Sequence, residues 1–126
     1  MSQPLPRYHD LRLEDQATVE RRFSADDIGE WCRIADIDEH PEHVPEPLIA
    51  GLFSYLLGEE LPGHGTNYLK QHMRFENDAR VDETLTATVT ITHLRGDKAL
   101  VNLDTLCTGE DGRMICAGDA LVLFQC

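Results

Sequence analysis

Thr84-Leu85-Thr86-Ala87-Thr88-Val89-Thr90-Ile91-Thr92-His93 alternates, residue by residue, between a threonine and a second row of mostly apolar side chains. Successive side chains on a strand point to opposite faces. Leu85, Ala87, Val89, Ile91 and His93 therefore share one face and the threonines the other. One buried face and one wet face is the habit of an antiparallel sheet. His93, closing the apolar row, is expected to be hydrogen-bonded and half-buried. Arg95-Gly96-Asp97 then reads as a hairpin turn and Ala99 to Cys107 as a strand. Gly109-Glu110-Asp111-Gly112 reads as a second turn and Met114 to Phe124 as the last strand.

Toward the N-terminus the period changes. Thr66 to Phe75 is a further strand, preceded by Gly58 and the turn Leu61-Pro62-Gly63-His64-Gly65. Before that turn, Leu48-Ile49-Ala50-Gly51-Leu52-Phe53-Ser54-Tyr55-Leu56-Leu57 is apolar nearly all round, with Pro47 suited to a first helical turn. Such a helix is expected to be buried on every side. Ser24 with Asp27 makes a capping-box pattern, and Ile28, Trp31, Cys32 and Ala35 follow at helical spacing. Alternation at Ala17, Val19, Arg21 and Phe23 predicts an opening strand, after an irregular stretch of residues 1–15. A buried helix followed by antiparallel strands predicts an α+β fold, a single domain over residues 1–126 with the sheet wrapped around the helix. About five strands with an exposed edge would gain by pairing with a second copy, so a homodimer is expected.

With 126 residues the chain is large enough for one hydrophobic core and too small for two. The net charge of −12 argues against nucleic acid as a partner, since phosphates must be neutralised to be bound, and against an acidic membrane surface. No stretch approaches the ~20 apolar residues of a membrane span, and Met1 to Arg7 do not read as a signal peptide. A soluble, cytoplasmic protein is expected. Cys32, Cys107, Cys116 and Cys126 lie far apart without a C-x-x-C pair, and are expected to be free thiols.

The chemically richest segment is Asp38-Glu39-His40-Pro41-Glu42-His43. A carboxylate and an imidazole on one short loop can share a water or a substrate proton, the minimum for acid–base chemistry. The alternative is a solvated acidic loop that caps the next helix. His40 and His43 beside Asp38 and Glu42 also resemble a metal cluster, but no further ligand set stands out, and no metal is expected. His64 and His72 read as surface or turn residues.

Taken in order, the chain from about Ala17 to Phe124 resembles the MaoC-like hot-dog family, the (R)-specific enoyl-CoA hydratases and related 3-hydroxyacyl dehydratases. Arg22-Phe23-Ser24 with Asp27-Ile28 carries part of the likeness, as does Gly118-x-Ala120. The most specific match is Leu61-Pro62-Gly63-x-Gly65-Thr66-x-Tyr68-Leu69-x-Gln71, continuing through Phe75 and Leu85-Thr86-Ala87-x-Val89. The family's D-x-N-P-x-H signature is met by Asp38 to His43 with His40 in the Asn place.

The resemblance implies a catalytic pair, Asp38 and His43, holding a water for reversible syn hydration of a trans-2-enoyl thioester. It also implies that Gly51, at the start of the central helix, offers its N–H to the thioester carbonyl. His40, Tyr68 and Gln71 would line the substrate site. No cofactor is implied beyond the coenzyme A of the acyl-CoA substrate. An acidic acyl carrier protein would be repelled. Lys70, Arg74, Arg95, Lys98 and Arg113 are the candidate cations for the phosphates of coenzyme A.

The chain departs from the family in having Ala50 where a His usually precedes the glycine, Ile37 where a Gly precedes the Asp, and a short stretch from His43 to Pro47. An acyl-CoA thioesterase and a non-catalytic acyl-CoA-binding dimer remain the alternatives.

Overall fold

The computed structural model describes residues 8–38 and 41–125. His40 and Cys126 lie outside them. A short 3-10 turn at Tyr8–Asp10 precedes strand β1 (Gln16–Arg22), helix α1 (Ala25–Ile34) and helix α2 (Glu46–Tyr55). Strands β2 (Thr66–Phe75), β3 (Thr84–Arg95), β4 (Leu100–Thr108) and β5 (Met114–Phe124) complete the chain.

Local chemistry sets the helix bounds. The Ser24 hydroxyl accepts from the Asp27 N–H at 3.1 Å, and the Asp27 carboxylate accepts from the Ser24 N–H at 2.9 Å. These reciprocal bonds satisfy two donors that the first turn of α1 would otherwise leave open. Helix α2 has no side-chain cap and enters through Pro45 and Pro47 instead. Proline fixes φ near the helical value and lacks the N–H that a first turn cannot use. The helix does not stop at Gly58. It widens into a π turn over Leu56–Glu60, and the chain then reverses through Gly63 and Gly65 at φ 99° and 106°.

The sheet is antiparallel in the order β1-β3-β4-β5-β2. Only β3, β4 and β5 form a meander, and β2 crosses to the far edge beside β5. Leu85, Ala87, Val89 and Ile91 are fully buried on one face of β3, and Val101, Leu103 and Cys107 continue that face on β4. Against it pack Ile49, Phe53, Leu56 and Leu57 of the helical segment, together with Ala120, Val122 and Phe124 of β5. Each large side chain withdrawn from water there contributes roughly 1.5–3 kcal/mol. Cys32, Cys107 and Cys116 are buried free thiols. Burial first, then the neighbouring Cys116 and Glu83, pushes the Cys107 thiol up to about 12, where it is inert.

Two expectations are corrected here. His93 is exposed, because the register with β4 slips between Ile91 and His93. One extra residue in β3 turns His93 outward and Leu94 toward the core, and alternation alone carries no sign of such a bulge. Helix α2 is not buried on every side either. Pro47, Gly51, Ser54 and Tyr55 face outward, and Pro47, Gly51 and Tyr55 border an open cavity of about 500 Å³ with Val19, Arg21 and Phe23 of the β1 segment.

Candidate active site

The hexapeptide Asp38 to His43, the candidate site of the sequence reading, is held on either side by backbone bonds. At its start, the Ile37 N–H donates to the Cys32 carbonyl at 2.8 Å, closing the end of α1 just before Asp38. At its end, His43 pairs with Arg80 as an isolated antiparallel bridge, and the Val44 N–H donates to the Ala79 carbonyl at 2.9 Å. Val44 is buried, so the segment is tied down by one apolar anchor immediately after the imidazole.

Asp38 and His43 are both exposed. Asp38 makes no hydrogen bond or ion pair among the described residues, leaving its carboxylate open to water. The His43 Nε2 lies 3.7 Å from an Asp78 carboxylate oxygen. The sequence reading missed Asp78, which stands 35 residues from His43 and reaches it only through the turn before β3. Pro41, in the middle of the hexapeptide, borders a small apolar cavity of about 110 Å³ with Ala25, Ile28, Gly29, Cys32 and Val81.

Gly51 is not at the start of the central helix. It is the sixth residue of α2, beyond the first turn whose N–H groups lack helical acceptors. Pro45 and Pro47 have no N–H, and the Leu48 N–H donates to the Pro45 carbonyl at 3.0 Å. In that first turn the Glu46 N–H has no acceptor among the described residues.

Tyr68 is 42% exposed, and its hydroxyl donates to the Ser54 Oγ at 3.3 Å, tying β2 to the outward face of α2. Burial pushes the Tyr68 hydroxyl above the usual phenol range, with the Ser54 bond opposing it. Gln71 lies half-buried on β2, and its side-chain nitrogen is enclosed without a hydrogen-bond partner. A buried amide N–H left open is a donor in search of an acceptor. His64 and His72 are exposed, as expected for turn and surface positions.

Of the cations considered for phosphate binding, Arg113 is consumed. Its guanidinium donates to Glu83 at 2.7 Å, to Asp111 at 2.8 Å and to the Asp78 carbonyl at 2.9 Å. Arg74 pairs with Glu76 and Arg95 with Asp97. Lys70 and Lys98 have no ion pair among the described residues, and neither does the side chain of Arg80, beside His43. No group of three or more His, Cys, Asp or Glu side chains converges on a metal site among the described residues. No helix there is long and apolar enough to cross a membrane.

A helix packed against one face of a five-stranded antiparallel sheet is the architecture of a hot-dog protein. No protein-family profile matches the chain. The (R)-specific enoyl-CoA hydratase of Rhodospirillum rubrum is 31% identical, over 92% of this chain and 90% of the relative. That of Aeromonas caviae is also 31% identical, over 89% of this chain and 94% of the relative. The solved (R)-hydratase of A. caviae superposes with a TM-score of 0.83 at 31% identity, covering 91% of this chain and 98% of that one. The MaoC-like dehydratase of R. rubrum, at 18% identity and a TM-score of 0.73, shares the fold. The chain belongs to the (R)-specific enoyl-CoA hydratase family of MaoC-like hot-dog proteins.

Proposed function

We propose that this protein hydrates a trans-2-enoyl-CoA reversibly to the (R)-3-hydroxyacyl-CoA, with Asp38 and His43 as the working pair. The observation that carries the reading is the Asp38-x-x-Pro41-x-His43 frame in a chain 31% identical to two (R)-specific hydratases over nearly its whole length.

Both groups face water, and a water between them can lose a proton to one as its oxygen bonds to C3 of the enoyl group. Negative charge then moves to the thioester oxygen. The same pair returns a proton to C2 on the same face, closing the syn addition. The developing enolate needs a donor. The unshared Glu46 N–H at the positive end of α2 suits that role better than Gly51, whose N–H lies inside the helix. The chemistry requires no metal and no cofactor beyond the coenzyme A that the substrate brings. Lys70, Arg80 and Lys98 are the cations open to its phosphates.

Assembly as a homodimer is part of this reading. Strand β2 is bonded to β5 on one side, and its other edge has no partner among the described residues. Tyr68 and Leu69 stand 42% and 53% exposed on it. An unpaired edge with exposed apolar side chains favours addition of a second copy.

The test is loss of enoyl absorbance with crotonyl-CoA and with a medium-chain enoyl-CoA, for the wild type, Asp38→Asn and His43→Ala. Turnover to the (R)-3-hydroxy product, lost in both variants while each still melts like the wild type, supports the reading. Turnover indifferent to both changes removes the pair as the site. A second reading is favoured by the outward-facing Asp38 and His43 and the two prolines at the helix start: an acyl-CoA-binding dimer without turnover. Binding of crotonyl-CoA in calorimetry with no loss of absorbance would establish it. Release of free coenzyme A would mark a thioesterase instead.

A further inference from the structure

We propose that the ion pair of buried Glu83 with half-buried Arg113 is a positioning device for His43, fixing the turn of residues 77–82 on which the His43–Val44 segment rests. The inference depends on His43 being a site residue, as proposed above, and concerns what holds it there.

Three consecutive residues of the turn grip the segment. Asp78 approaches the imidazole at 3.7 Å, Ala79 accepts the Val44 N–H at 2.9 Å, and Arg80 bridges to the His43 backbone. The same residues are held from the opposite side by one ion pair. Arg113 donates to the Asp78 carbonyl at 2.9 Å, and Glu83 accepts the Arg80 N–H at 2.7 Å. The two ions meet at 2.7 Å, and the second carboxylate oxygen of Glu83 accepts the Glu110 N–H at 3.0 Å. The ends of the turn are held elsewhere, by the Asn77 side-chain amide donating to the Met114 carbonyl at 2.7 Å and the Asp82 N–H to the Phe23 carbonyl at 2.8 Å, whereas the side-chain bonds to the backbone of residues 78 and 80 come from Arg113 and Glu83.

The pair is expensive for a device that only fastens a turn. The Glu83 side chain is 6% exposed and that of Arg113 18%, so both ions have given up most of their hydration. Replacing such a pair by apolar side chains of similar volume is often neutral or stabilising. Apolar side chains could fill this space, but they could not bond an N–H at residue 80 and a C=O at residue 78 together. A planar guanidinium is suited to joining a carbonyl and a carboxylate in one plane of donors.

The fold also reserves room for the carboxylate. A Cβ at Gly109 would lie 2.3 Å from a Glu83 carboxylate oxygen and 3.1 Å from the Arg113 guanidinium. Any side chain there would push the carboxylate off its partners while leaving both charges in the chain. Glu83 and Arg113 act through the turn backbone rather than on reacting atoms, so they are positioning residues for His43.

The experiment measures hydrogen exchange at the Val44 amide together with kcat and KM for crotonyl-CoA, in the wild type, Glu83→Gln and Gly109→Ala. Gly109→Ala keeps both charges and covers the case in which Glu83→Gln does not fold. In a folded variant, Val44 exchange should rise about tenfold or more while the Val89 and Leu103 amides keep their protection. The misplaced imidazole should lower kcat by roughly 10–100-fold with KM within about twofold.

Unchanged Val44 protection overturns the inference. Equal acceleration at Val89 and Leu103 does so too, because the effect would then be global. A loosened Val44 with undiminished kcat overturns it as well, since His43 would be working without its anchor. If the wild type does not hydrate crotonyl-CoA, the hydratase reading fails, and the anchoring of residues 43–44 is still decided by the exchange data.

Discussion

The meander β3–β4–β5 and the segment from Pro41 to Val44 are held by different forces. The meander rests on continuous strand pairing and on side chains with no exposure at all, among them Leu85, Val89, Ile91, Leu103 and Val122. The segment rests on one buried valine, one backbone bond to Ala79 and a bridge to Arg80, while the His43 imidazole faces water. Removing one contact from the meander leaves many others. Removing one from the segment changes where an imidazole points. Stability and function should therefore respond to different mutations.

The largest effect on stability should come from Gly118→Ala. A Cβ there would lie 1.9 Å from the His72 carbonyl oxygen and 3.0 Å from the Met73 Cα, both of them backbone atoms of the paired strand β2. Nothing flexible can yield, so a loss above about 4 kcal/mol or outright failure to fold is expected, read by circular dichroism and denaturant unfolding. A nearly native midpoint would break the claim that the sheet is set by close backbone packing. Next comes Phe53→Ala, which empties the largest fully buried site on α2 and should cost about 3–5 kcal/mol in urea unfolding.

The acid dependence sharpens the comparison at its boundary. Burial raises the Glu83 carboxyl, but hydrogen bonds from Arg113 and from the Arg80 and Glu110 N–H groups outweigh it and hold the group below a glutamate's ordinary 4.5. A depressed carboxyl contributes stability that is complete above the unfolded value and is lost as pH falls through the folded one. Wild-type stability should thus decline below about pH 4.5 more steeply than that of Glu83→Gln, in melting curves taken between pH 3 and 6.

Smaller again is Ser24→Ala, which removes one half of the α1 capping box and should cost about 1 kcal/mol. Smallest for stability are Asp38→Asn and His43→Ala, each expected within about 0.5 kcal/mol of the wild type because both side chains are solvated. If the pair is catalytic, the same two changes lower hydration by roughly 10²–10⁴-fold. A site variant that unfolds the protein would erase the distinction between the two regions.

Much of this division can be read along the chain. The alternation from Thr84 to Ile91, the capping box at Ser24 and Asp27, and the Gly-rich turn before β2 each report a local preference, and each produces the element expected of it. The His93 bulge, the outward face of α2 and the place of β2 beside β5 depend on pairing partners distant in sequence. At the site, the hexapeptide from Asp38 to His43 stands out from its residues alone. Gly51, expected at the start of the helix, lies about a turn and a half inside it, because the prolines at 45 and 47 set the helix start at Glu46. Asp78, Glu83 and Arg113 carry no local signal at all. They come near His43 only because the turns before β3 and before β5 meet behind it.

The sequence by itself determined the α+β class, the strand faces and the candidate acid–base pair, because helix caps, turn glycines and period-two alternation act over a few neighbouring residues. Tertiary structure decided which carboxylate faces His43, which cations remain open and what holds the segment in place. Those outcomes depend on which strands pair and on which ions are driven out of water together, and both follow from the closing of the whole sheet.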